Sequence, residues 1–147
     1  MNRIASRLMA GVGVLILCAG SPSCLETVPD PPAPGSVDFV SEVKPILEDR
    51  CVMCHNRATL PKRTSFENRA LAMKGDASGP VILPGNAAGS RLMAAVSSPD
   101  FHETAMPPVS LRVTDAEREL LERWINEGAV WPDGPEGNLV PDMIPLE

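Results

Sequence analysis

Cys51-Val52-Met53-Cys54-His55 is the stretch on which the reading of this 147-residue chain turns. Its pattern is C-x-x-C-H, the attachment pattern of a c-type haem. The spacing has a chemical reason. Two thiols three positions apart can each add to one of the two vinyl groups of a haem. The next residue then brings an imidazole to the iron. Cys51 and Cys54 are therefore candidate thioether anchors, and His55 is the candidate proximal iron ligand.

Two other chemistries use the same residue types. A redox-active C-x-x-C normally sits at a strand-to-helix turn in a βαβ pattern, and no such pattern surrounds this one. A structural zinc site needs about four ligands. The only other histidine is His102, so Cys51, Cys54, His55 and His102 are the whole Cys/His set that a zinc module could use.

Outward from the motif, the chain has an amino-terminal stretch of different character. Arg3 and Arg7 precede an apolar run from Leu8 to Ala19, followed by Gly20-Ser21-Pro22-Ser23. Residues 1–23 read as a secretory signal, too short to span a membrane comfortably. The expected cut lies before Cys24. A cysteine after a small residue suits lipid modification, which would anchor the protein to a membrane without spanning it. Ser21 departs from the leucine that lipoprotein signals usually carry there. Lipidation, a free thiol and an intermolecular disulfide all stay open for Cys24. The expected location is exported and periplasmic, with or without the anchor.

Residues 24–36 form a stiff linker, with Pro29, Pro31, Pro32 and Pro34 and no apolar period. Charge excludes one class of partner. The formal net charge is −6, and removing residues 1–23 takes away two arginines and no acid, leaving −8. Nucleic-acid binding wants a basic face. The surplus of acid suits a solvated surface, or docking to a partner with a basic face.

The domain itself spans 37–133. Phe39, Val43, Ile46 and Leu47 fall on one face of a helix over 38–50, with Pro45 expected to kink it or confine its regular part. Thr64-Ser65-Phe66-Glu67 has the form of a capping box, which predicts a short helix through Met73 ended by Gly75. Val81, Ile82 and Leu83 are too apolar for an exposed loop. A further short helix is expected over 86–96, with Leu92, Met93 and Val96 inward. Thr114-Asp115-Ala116-Glu117 is a second capping box. It opens the clearest helix, whose face carries Ala116, Leu120, Leu121, Trp124 and Ile125 and which Gly128 stops. Residues 134–147 read as an irregular tail.

Between these helices lies Ala105-Met106-Pro107-Pro108. A methionine followed by two prolines sits on a rigid extended segment that can hold a thioether against a metal. Met106 is the candidate distal iron ligand, and His102, four residues earlier, is its competitor. Arg91 is a candidate partner for a haem propionate or a solvated helix residue. No Ser/His/Asp arrangement, phosphate loop or carboxylate pair suggests an active site.

Taken in order, DFVSEVKPILEDRCVMCH, GPVILPGN with the following S-R-L, AMPP and TDAERELLERWINEGAVWP resemble a class I c-type cytochrome, most closely the planctomycete-type cytochrome c domain. The resemblance covers roughly Val37 to Pro132. It implies an all-α fold: a small cytochrome c fold of about four short helices wrapped around one covalent haem c. It also implies axial ligation by His55 and Met106, packing of Phe39 and Val43 against Leu121, Trp124 and Ile125, and one-electron transfer between redox partner proteins. The expected function is thus a mono-haem electron carrier rather than an enzyme, able to serve as a redox subunit of a larger system. A haem-based ligand sensor with a weak sixth ligand is the alternative.

Overall fold

A computed structural model describes residues 36–108 and 111–141. The leader, Cys24 and the linker lie outside the described residues. Among those described, the chain is helical and contains no strand, only an isolated bridge between Asp76 and Gly79. No helix among the described residues is long and apolar enough to cross a membrane.

Three consecutive helical stretches, Phe39–Val43, Lys44–Leu47 and Glu48–Val52, make one continuous first helix, α1. Asp38 caps it, its carboxylate accepting from the Ser41 amide at 2.7 Å. Pro45 has no N–H to give. The turn before it is widened, so that the Lys44 amide reaches back five residues to the Phe39 carbonyl. The expected effect of Pro45 is therefore a change of helical register, and the regular part is confined to Lys44–Leu47.

Three further helices follow: α2 (Arg69–Lys74), α3 (Arg91–Val96) and α4 (Asp115–Asn126). Both middle helices start later than the sequence suggests. At α2 the Glu67 carboxylate accepts from the Arg57 amide at 2.9 Å, the Arg57 Nε at 3.0 Å and the Ser65 hydroxyl at 2.8 Å. It is thus unavailable to a capping box, and Asn68 caps α2 instead, accepting from the Leu71 amide. At α3 the Ser90 hydroxyl donates to the Asn86 carbonyl and accepts from the Leu83 amide, which holds 86–90 in turns. Gly75 ends α2 at φ 72°, and a Cβ there would collide with the Gly79 carbonyl.

The α4 cap has the expected form. Thr114 Oγ1 accepts from the Glu117 amide, and the Glu117 carboxylate accepts from the Thr114 amide at 2.6 Å. Glu117 also reaches α1, lying 3.5 Å from Arg50 Nη2. At the other end of α4, the Glu127 carboxylate accepts from the Val37 amide at 2.7 Å. The start of α1 therefore meets the end of α4, and the end of α1 meets its start, so the two helices run in opposite senses.

Between them lies an aromatic group. Phe39 stacks on Trp131 with ring centroids 4.4 Å apart, and Trp124 stands 5.9 Å from Phe39 and 6.0 Å from Trp131. Val43, Leu47, Leu121 and Ile125 complete this buried layer, while Leu120 is partly buried and Ala116 faces solvent. Ile82 is buried, and the loop carrying it docks on the end of α4: the Gly85 amide donates to the Ile125 carbonyl at 2.7 Å, and the Ala87 amide to the Asn126 side chain at 3.0 Å. Beyond Asp133 the chain stays on the body through Pro141. Leu139 is buried, the Trp131 indole N–H donates to the Gly137 carbonyl, and the Lys44 ammonium donates to the Glu136 carbonyl.

Asp76 ties three segments together. It accepts from Arg91 Nη2 at 2.8 Å, from the Ser78 amide at 2.9 Å and from the Thr64 hydroxyl at 3.4 Å. The Arg91 fork also donates to the Gly79 and Pro80 carbonyls, so it braces this turn. The Arg91 hydrogen bond, chief among these, holds the Asp76 carboxyl below its usual range, against the opposing effect of burial. A depressed carboxylate stabilises the fold above the unfolded pKa of about 3.9, and that contribution is lost as pH falls through the folded value. Asp76→Asn is expected to cost about 1 kcal/mol at pH 7, a figure discounted because Arg91 is part-exposed. The variant should also show a smaller drop in melting temperature between pH 7 and pH 3 than the parent. Equal drops in the two proteins would remove Asp76 from the account.

Candidate functional site

The last turn of α1 carries Arg50, Cys51 and Val52, and the chain then turns sharply. The Cys54 and His55 amides both donate to the Cys51 carbonyl, at 3.2 and 2.8 Å. Asn56 locks the turn. Its buried amide nitrogen donates to the Val52 and Met53 carbonyls, each at 2.9 Å, and its oxygen accepts from the Ala58 and Thr59 amides. The two sulfurs therefore differ in setting. Cys51 is buried on the helix face and Cys54 is exposed on the turn.

Burial pushes the Cys51 thiol up to about 12, against the opposing pull of the neighbouring Arg50 guanidinium. A reactive dithiol needs a lowered pKa, so this setting disfavours the redox-disulfide reading. Among the described residues, no group of three or more His, Cys, Asp or Glu side chains converges as a metal site. The four residues a zinc module would need are thus not gathered.

His55 is held on three sides. Its carbonyl accepts from the Phe66 amide at 2.8 Å, and its ring meets the Phe66 edge with centroids 5.7 Å apart at 74°. Its Nδ1 lies 3.1 Å from the Thr64 carbonyl. A carbonyl can only accept, so Nδ1 carries the proton and Nε2 keeps its lone pair. A backbone carbonyl accepting from the far ring nitrogen is the arrangement that orients a metal-ligating imidazole.

His102 is arranged the other way round. It is exposed, and its Nδ1 lies 2.8 Å from the Thr104 hydroxyl and 3.3 Å from the Thr104 amide. The amide can only donate, so Nδ1 accepts and the proton of the neutral ring sits on Nε2. Met106 is fixed at its backbone: its amide donates to the Ala95 carbonyl at 3.0 Å, and its carbonyl accepts from Arg112 at 3.2 Å. The Met106–Pro107 peptide is cis, and the Met106 side chain is exposed.

The donor chemistry of these residues fits a covalent haem. One buried and one exposed sulfur flank a turn, and the adjoining imidazole offers a free Nε2. Residues 51–110 match the family model described as Planctomycete cytochrome C. That match supports a planctomycete-type cytochrome c domain over these residues. No curated protein and no solved structure matches the chain. That family implies covalent haem c and suggests a haem-binding electron carrier.

The matched segment begins at Cys51, so the aromatic layer between α1 and α4 lies outside it; the packing of Phe39 on Trp124 expected from the resemblance is present in the fold. Within the cytochrome c domain, sequence reasoning missed three residues. Thr64 orients His55 through its carbonyl, which no side-chain pattern marks. Asn56 braces the turn, and an Asn just past a helix end is the kind of signal that could have found it. Arg112 lies beyond the matched segment and returns to the Met106 loop.

Proposed function

We propose that this protein is an exported mono-haem electron carrier. In this reading Cys51 and Cys54 hold the haem through thioethers, His55 is the proximal ligand and Met106 the distal one. The observation that carries it is the Nδ1 contact of His55 with the Thr64 carbonyl, which leaves Nε2 free. When bound, haem supplies a one-electron couple between ferric and ferrous iron. The chain does the rest. Thr64 and Phe66 fix the imidazole, Asn56 fixes the turn that presents it, and the pinned backbone of Met106 limits the positions open to its thioether. A carrier needs both axial positions filled, so that electrons pass and no substrate binds. The proline pair that follows Met106 supports it over His102.

The leader pattern of residues 1–23 supports export to the periplasm, and Cys24 as the first residue after it supports a lipid anchor. Asp49 and Asp115 are largely exposed, and Glu119 and Glu122 face solvent on α4, which supports a basic docking face on the redox partner.

The test is the absorption spectrum of full-length protein matured in a host that attaches haem. The parent is expected to show sharp reduced c-type bands and an oxidised sulfur-to-iron charge-transfer band. Met106→Ala should lose that band completely and admit carbon monoxide to the ferrous protein, while His102→Ala should leave both unchanged. Fast, complete carbon monoxide binding by the parent would replace the carrier with a ligand sensor.

A further inference from the structure

Arg112 stands outside every motif in the sequence, yet its guanidinium makes more contacts than any other in the neighbourhood of Met106. Nη1 donates to the Met106 carbonyl at 3.2 Å. Nη2 donates to the Val96 carbonyl at 3.1 Å and to the Ser98 carbonyl. Nε lies 3.2 Å from the Asp100 carboxylate. These acceptors belong to the end of α3, to the loop that follows it, and to Met106 itself.

The loop from 97 to 105 leaves α3 and comes back to it. Its neck is closed by the Met106 amide on the Ala95 carbonyl. Arg112 fills that neck. It satisfies the Val96 carbonyl, one of the last in α3 and without a helical partner of its own, and it fixes the carbonyl side of Met106. The side chain is 20 % exposed; its contacts to Val96 and Ser98 are part-buried, while those to Met106 and Asp100 face solvent. Arginine suits the task because its planar fork presents five donors in fixed directions. A lysine ammonium is a single point and cannot reach four acceptors so spread.

We propose that Arg112 is the positioning residue for the distal ligand. It ties the Met106 carbonyl to the end of α3 across the loop neck, so that the thioether is already in place when the iron is. The inference rests on Met106 being that ligand. Ligation within one chain depends on how narrowly the ligand's position is confined. Loosening the neck therefore favours an open sixth site without touching either sulfur or His55.

The experiment compares haem-loaded full-length parent, Arg112→Leu, Arg112→Lys and Met106→Ala. Arg112→Leu is expected to weaken the sulfur-to-iron band and to raise the rate of carbon monoxide binding by about ten-fold, the effect of losing roughly one charge-assisted hydrogen bond. Its thioether haem content and far-UV circular dichroism should match the parent. Arg112→Lys should fall between the two. A lower melting temperature with a parental band and parental carbon monoxide rate would overturn the proposal and leave Arg112 a structural role. Should the leucine variant yield no haem protein, the lysine variant decides by the same readouts, and parental values in it overturn the proposal. A band that survives Met106→Ala would instead sink the ligand assignment, a failure distinct from that of Arg112.

Discussion

The double variant Cys51→Ala, Cys54→Ala is expected to come out of a haem-maturing host colourless and without a cooperative melt. α2 and α3 have six residues each, too short to persist on their own. Around the motif the chain is held by turns and single hydrogen bonds, such as Phe66 to His55 and Met106 to Ala95, with no sheet beneath them. A group that binds only the folded state adds stability by mass action, about 4 kcal/mol when tethered at a thousand times its dissociation constant. That is a large part of the 5–15 kcal/mol typical of a whole domain. Absorption and far-UV circular dichroism, followed through a thermal scan, check both halves of the expectation. A sharp cooperative transition in the haem-free variant would show that the aromatic layer suffices to fold the chain, and would end the structural role proposed for the cofactor.

Trp124→Ala should have an effect of similar size. The indole is 1 % exposed and packs against Phe39 and Trp131. Truncating a buried Trp costs about 3–5 kcal/mol through lost contacts and the cavity left behind. The Trp124 indole N–H also donates to the Val130 carbonyl at 2.9 Å, which would lose its partner. The haem-loaded variant is therefore expected to melt far below the parent or to be recovered only in trace amounts. Val130→Ala is the control: that side chain is 65 % exposed, and its removal should change stability by less than about 0.5 kcal/mol. Comparable losses in the two variants would mean that the α1–α4 layer is not the centre of the core.

The parts of the fold legible in the sequence are those with a short-range physical signature. The capping box at Thr114 and Glu117 reads directly because both partners lie within one turn. The buried faces of α1 and α4 read from period alone. The box at Thr64 and Glu67 reads wrongly because Arg57, ten residues away, takes the carboxylate. The start of α3 is misplaced for the same reason: Ser90 and Asn86 have loop partners that outcompete helix initiation. At the site, the residue types of the attachment motif are plain, but the orientation of His55 is not. It depends on a backbone carbonyl nine residues downstream. Arg112 is invisible for a related reason, since three of its four partners are main-chain oxygens that any residue could supply.

If Cys51 and Cys54 carry the haem as proposed, their unequal burial has a consequence for the order of events during biogenesis. α1 precedes α4 in the chain, and until α4 docks the apolar face of α1 lacks that cover. In that interval both thiols are open to a vinyl group. Once the Arg50–Glu117 bridge closes beside it, the Cys51 sulfur is shut away, while Cys54 stays accessible. Attachment thus has a deadline at one sulfur and none at the other. A maturation system that ran too slowly would leave chains tethered through Cys54 alone.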